Sequence, residues 1–168
     1  MVEYSRRSRE RNNLEALRLG HRTASEILEE VGQEQWDAAL KYSIVRNPID
    51  RYISACRQCG VDANDPAARK LAAGQDRRFV ILRSQYDFLY INDSLAVDKV
   101  FKFEQDVPDG VVTWLNSHLV GRGPFPHIDR ARKRASKQEL TAETEAWVND
   151  FYRKDFEAFG YRHTTSLN

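Results

Sequence analysis

The chain has 168 residues, of which 41% are hydrophobic and 30% charged. That length suits one compact domain burying roughly 70% of its unfolded surface, and the composition is too apolar for disorder and too polar for a membrane protein. Lys and Arg (26) against Asp and Glu (25) leave +1, so bulk charge points neither to nucleic acid nor to an acidic partner.

No apolar run reaches the ~18 residues that a bilayer span needs. Arg6, Arg7, Arg9 and Arg11 are followed by no apolar stretch, which is not the pattern of a secretory signal. Cys56 and Cys59 are too few for a disulfide framework, so a reducing, cytoplasmic compartment is expected.

Residues 1–19 read as a basic polar arm or a first helix, and 20–168 as a single domain. Thr23-Ala-Ser-Glu26 fits a capping box, and Ala24, Ile27, Leu28 and Val31 follow at helical spacing up to Gly32. Leu40 to Val45 is β-prone and stops at Arg46-Asn47-Pro48. Asn47 is a good N-cap and Pro48 a good first helical residue for the stripe Ile49, Tyr52, Ile53, Cys56. Asp65-Pro66 opens a short helix to about Ala73. Phe79–Leu82 and Phe88–Ile91 fit strand or helix equally, and Asn92-Asp93 reads as a turn. Val100 to Glu104 alternates like a strand, and Val111, Trp114, Leu115 and Leu119 mark a helix closed by Gly121 and Gly123. Residues 124–137 read as a long loop with a basic cluster. Thr141 then caps one last helix running through Val148, Phe151, Tyr152, Phe156 and Phe159 to Gly160. Strands separated by helices predict an α/β domain with a largely parallel sheet.

The stretch from Tyr42 to Ser54 carries the most chemistry. An Arg leaving the carboxyl end of a strand stands where open α/β sheets bind ligands. The helix behind it offers N–H groups and a positive dipole end, both suited to a phosphate. Arg46 would grip the anion as a fork, and Ser54 would add a hydroxyl if the phosphate lies alongside the helix. Asp50 in the first turn opposes this. The plain alternative is a surface Arg pairing with Asp50 and a serine that caps nothing.

Here V-R-N-P-I-D-R-Y-I-S resembles the element of sulfotransferases that holds the 3′-phosphate of the donor 3′-phosphoadenosine 5′-phosphosulfate. The family pattern is an Arg leaving a strand, an acidic or amide residue, Pro, a second Arg and a Ser. Arg46, Asn47, Pro48, Arg51 and Ser54 match it position by position. Gly20-His21 to Glu26 and Gly32 to Trp36 are similar to the stretch before that strand in the carbohydrate-type branch. So, downstream, are Gln85 to Leu89, Val97 to Glu104, Pro126-His-Ile and the ending Asp155-Phe-x-x-Phe-Gly-Tyr161. The resemblance covers about residues 20–161. It implies a P-loop nucleotide-kinase-like α/β fold with a parallel sheet flanked by helices. It also implies transfer of sulfate from that nucleotide, the co-substrate, to a hydroxyl acceptor of carbohydrate type, without a metal.

One departure matters. The family carries an earlier strand and a P-K-x-G-G-T-like loop that cradles the 5′-phosphosulfate. Residues 1–40 hold only Gly20 and Gly32 and no Lys, so nothing there resembles it. The chain is then a truncated form, or another polypeptide supplies the piece, or the protein is an inactive nucleotide- or anion-binding relative. A sheet without that strand would have either a rearranged strand order or an exposed internal edge that invites pairing with another chain, so a homo-oligomer is expected.

Sulfuryl transfer needs positioning, charge stabilisation and a base for the acceptor hydroxyl. The resemblance points to His21 as that base, since some members carry Gly-His before the strand; the plain alternative is a partly exposed His preceding a cap. Within the basic loop, Arg132, Lys133 or Arg134 would clamp the nucleotide phosphate or an anionic acceptor such as a sulfated glycan, with Arg132 and Lys133 the first candidates for the nucleotide; the plain alternative is a solvated charge run. Glu104 is a second carboxylate base at a strand end or, more simply, an exposed or structurally paired Glu. Cys56-x-x-Cys59 lacks the second ligand pair that zinc needs and falls near a helix end, so core thiols are expected. A nucleic-acid binder using the basic arm and loop is disfavoured by the neutral total charge and the scarcity of aromatics in those segments.

Overall fold

Helices and short strands alternate along the residues that the computed structural model describes, 21–74, 76–118 and 138–163. The elements in chain order are α1 (Ala24–Val31), α2 (Gln33–Ala38), β1 (Tyr42–Val45), α3 (Pro48–Gln58), α4 (Pro66–Ala73), a 3₁₀ helix (Arg77–Leu82), α5 (Gln85–Leu89), β2 (Tyr90–Ile91), β3 (Ser94–Leu95), β4 (Lys99–Lys102), α6 (Phe103–Asp106), α7 (Asp109–His118), α8 (Ala142–Phe151) and α9 (Arg153–Phe159). The architecture is mixed α/β, and β1 and β4 pair in parallel. The residue 1–19 arm and the basic 124–137 loop lie outside the described residues.

Two compact units divide the chain, and the division falls inside α3, after Ser54. The first comprises residues within 1–39 and 55–96. Its α1 opens with a complete capping box: Thr23 Oγ1 accepts from the Glu26 N–H at 3.1 Å, and Glu26 Oε2 accepts from the Thr23 N–H at 2.8 Å. At the other end Gly32, at φ 79°, donates to the Leu28 carbonyl at 2.9 Å. That positive φ lets the chain reverse straight into α2. Asp65 caps α4 through the Ala67 N–H at 2.8 Å, and Ala68 and Ala72 form its buried face.

The two apolar runs that fit strand or helix equally divide between both. Phe79–Leu82 lies in the 3₁₀ helix, while Phe88 and Leu89 end α5 and Tyr90 and Ile91 form β2. The turn at Asn92-Asp93 has positive φ at both residues, 49° and 59°, and joins β2 to antiparallel β3. Such two-residue turns match the twist of a hairpin and favour Asn and Asp.

The second unit comprises residues within 40–54 and 97–168. Tyr42 to Val45 lie opposite Lys99 to Lys102 in register. Phe101 packs with Val111 and Leu115 of α7, and Trp114 lies against the same cluster. Tyr52 of α3 is fully enclosed beside Tyr152 and Trp147, with ring centroids 6.1 and 5.7 Å away.

Two boundaries differ from the sequence reading. The strand expected to reach Glu104 stops at Lys102, whose N–H is taken by Asp106 Oδ2 at 2.6 Å; α6 starts at once. The single last helix is two. Tyr152, at φ −99° and ψ 22°, ends α8, and its carbonyl accepts from the Asp155 and Phe156 N–H groups that begin α9. The break lets α8 bury Val148 while α9 buries Asp155, Phe156 and Phe159.

Candidate functional site

Val45 is the last, buried residue of β1, and the chain turns over Arg46 and Asn47 into α3. Asn47 makes the turn. Its Oδ1 accepts from the Ile49 and Asp50 N–H groups at 3.0 and 3.4 Å, and Pro48 supplies a fixed φ and no donor. The strand–turn–helix order expected from the sequence is therefore present.

The donors at the head of α3 are a different matter. The Ile49 and Asp50 N–H groups are taken by Asn47, the Arg51 N–H goes to the Asn47 carbonyl at 2.9 Å, and the Asn47 N–H goes to Glu104 Oε1 at 2.8 Å. The expected row of helix-end donors for a phosphate is thus engaged within the protein. Recognition of an anion here falls to side chains.

Those side chains come from distant parts of the chain. The Arg46 guanidinium lies over the Phe103 ring, 5.2 Å from its centroid, and Phe103 itself is 48% exposed. Glu104, next in sequence, accepts through Oε1 from Asn47 and through Oε2 from the Tyr161 hydroxyl at 2.9 Å. The same hydroxyl lies 3.4 Å from the Val45 carbonyl. Burial holds the Tyr161 phenol above its ordinary pKa, the bond to Glu104 and the charges of Glu104 and Asp106 push further, and the Arg46 charge opposes them. Arg46 is thus electrostatically coupled to the Glu104–Tyr161 pair. Glu104 takes the structurally paired role, with both oxygens accepting.

The second motif arginine faces elsewhere. Burial lowers the pKa of Arg51, while the charges of Tyr152 and fully buried Asp155 pull it upward. Arg51 and Asp155 both belong to stretches of the sequence resemblance. Ser54 is half-buried on α3, two turns after Arg46.

His21 is half-buried, two residues before the Thr23 cap, and belongs to the first unit; Arg46 and Ser54 belong to the second. Arg132 and Lys133 lie outside the described residues. Cys56 is fully buried and Cys59 partly so, both as free thiols, with burial raising the pKa of Cys59. Among the described residues no cluster of His, Cys, Asp and Glu is arranged to hold a metal. His118 and His163 are exposed.

Sequence reasoning gave no role to Phe103 or Tyr161 in this site. Phe103 was read as a strand residue, and Tyr161 as part of a C-terminal motif. Phe103 meets Arg46, and Tyr161 meets Val45 and Glu104, across more than fifty residues of chain, which no local periodicity encodes.

No protein-family model, curated protein or solved structure matches this chain.

Proposed function

We propose that this chain is a sulfotransferase-like domain that binds 3′-phosphoadenosine 5′-phosphosulfate, or its desulfated product, through Arg46 and Ser54. The fold we assign to it is the P-loop nucleotide-kinase-like sheet, of which β1 and β4 would be two parallel strands. The observation that carries the reading is Arg46, which leaves the carboxyl end of a parallel strand at an Asn47-capped turn into α3. Ligands of open α/β sheets sit at such ends, and a guanidinium is the side chain best shaped for a phosphate.

In the full reaction His21 takes the proton of a carbohydrate hydroxyl as its oxygen bonds to sulfur. The bond from sulfur to the phosphate oxygen breaks, and adenosine 3′,5′-bisphosphate leaves. Arg132 and Lys133 would close on the nucleotide from the basic loop. A second reading, an inactive relative that keeps only the 3′-phosphate site, is favoured by one observation. Residues 1–40 hold only Gly20 and Gly32 and no Lys, so nothing there resembles the glycine-rich loop that holds the 5′-phosphosulfate.

Calorimetric titration with adenosine 3′,5′-bisphosphate tests the common core of both readings. Arg46→Ala should cost about 2–3 kcal/mol of binding, the scale of a charge-assisted hydrogen bond whose partner is left unpaired. Equal affinities in the two proteins would remove Arg46 from the site. No binding by either would remove the site.

A further inference from the structure

We infer that Glu104 and Tyr161 are positioning residues: together they brace the turn that carries Arg46, and through it the anion site. The importance of that turn rests on the reading proposed above; the brace itself stands on geometry. Tyr161 follows Gly160, whose left-handed conformation (φ 61°) ends α9 and turns the chain back. The Tyr161 N–H donates to the Phe156 carbonyl at 2.9 Å. Its ring lies under the Lys102 ammonium at 4.8 Å, and Lys102 also donates to the Gly160 carbonyl at 3.2 Å. The hydroxyl then points at the end of β1, toward the Val45 carbonyl and Glu104 Oε2.

The carboxyl ends of both parallel strands, Val45 and Lys102, are thereby tied to one phenol. Glu104 carries the tie one bond further, onto the Asn47 N–H beside Arg46. Each Glu104 oxygen accepts a bond from the protein, one from Asn47 and one from Tyr161, which fixes the carboxylate beside the turn. Arg46 meanwhile rests on Phe103, the residue before Glu104, so the brace and the platform move as one. The C-terminal D-F-x-x-F-G-Y stretch therefore serves the site at a distance, with its Tyr as the contact and its Gly as the bend.

The test uses the full chain, labelled with ¹⁵N, as wild type, Tyr161→Phe and Glu104→Gln. Hydrogen exchange at the Asn47 amide reads the brace directly, and calorimetry with adenosine 3′,5′-bisphosphate reads the site. In Tyr161→Phe the Asn47 amide should exchange about fivefold to tenfold faster and the nucleotide bind weaker by a similar factor, the loss expected for about one hydrogen bond. Amides inside α1 and α8 should keep their wild-type rates, which separates a local brace from general loosening. Glu104→Gln should accelerate the same amide, and it decides the matter if Tyr161→Phe does not fold. Asn47 exchange unchanged in both variants overturns the brace, and faster exchange with unchanged nucleotide affinity overturns its role in positioning the anion site. Faster exchange in a protein that binds no nucleotide upholds the brace and discards the nucleotide reading.

Discussion

Tyr86 donates its hydroxyl to Asp93 Oδ1 at 2.7 Å, and its ring stacks on Tyr90 with centroids 3.9 Å apart. The bond to the carboxylate exists only while the phenol keeps its proton. Its pKa is accordingly pushed up from 10 to about 12, first by that bond, then by desolvation and the nearby negative charges of Asp93, Tyr90 and Asp87. A folded-state value above the unfolded one stabilises the fold below pH 10, and the contribution is lost as pH rises through about 12. Absorbance at 295 nm during alkaline titration should show late-ionising phenols, one of which disappears in Tyr86→Phe. Ionisation of every tyrosine near pH 10 in a protein still folded by circular dichroism would contradict this. The Asp93 partner was invisible in the sequence as a partner, although Asn92-Asp93 read correctly as a turn: the spacing states that the chain reverses there, not which side chain the reversal delivers to Tyr86.

Helix starts were the most legible elements. Thr23, Asn47, Asp65 and Thr141 each accept a backbone N–H of the helix that follows, as their types and positions predict. Capping is local, since donor and acceptor lie two or three residues apart, and so it survives any tertiary context. Thr23→Ala removes the Oγ1 acceptor of the α1 box and should cost about 1 kcal/mol by chemical denaturation. A midpoint that does not move would mean that α1 is held by packing and not by its cap. Element ends were less legible. The stop of β4 at Lys102 depends on Asp106 reaching back to a backbone N–H, and the break at Tyr152 on the burial of both flanking helices. Both follow from competition between side-chain bonding, burial and continuation of the element, which apolar spacing does not encode.

At the scale of the molecule, the proposed chemistry is limited by charge. As sulfate leaves its nucleotide, the bridging oxygen gains negative charge, and a preorganised Lys with backbone donors would normally meet it. Removing one such donor typically costs ~10²–10³ in rate, and nothing in the sequence of residues 1–40, which hold only Gly20 and Gly32 and no Lys, resembles a loop of that type. A general base contributes only ~10²–10⁴, and His21 can act on the acceptor proton alone. The 168-residue polypeptide by itself should therefore transfer sulfate weakly or not at all. Radiolabelled transfer to a panel of glycans, with His21→Ala as control, measures it. Robust turnover that vanishes in that variant would show that other cations have taken the role, with the basic loop the first place to look.

The sequence by itself determined that β1 leads through a capped turn into α3, with Arg46 at the strand end, because each step rests on residues adjacent in the chain. It also determined the α/β alternation and the turn at Asn92-Asp93. Only the tertiary structure decided what surrounds Arg46. Phe103 and Glu104 come from α6 and Tyr161 from the end of α9, and Glu104 with Asn47 claims donors that the bare motif had left for a ligand. The reason is physical: a backbone N–H or a carboxylate takes whichever partner folding brings within about 3 Å. That choice is made across more than fifty residues of chain, where local spacing carries no information.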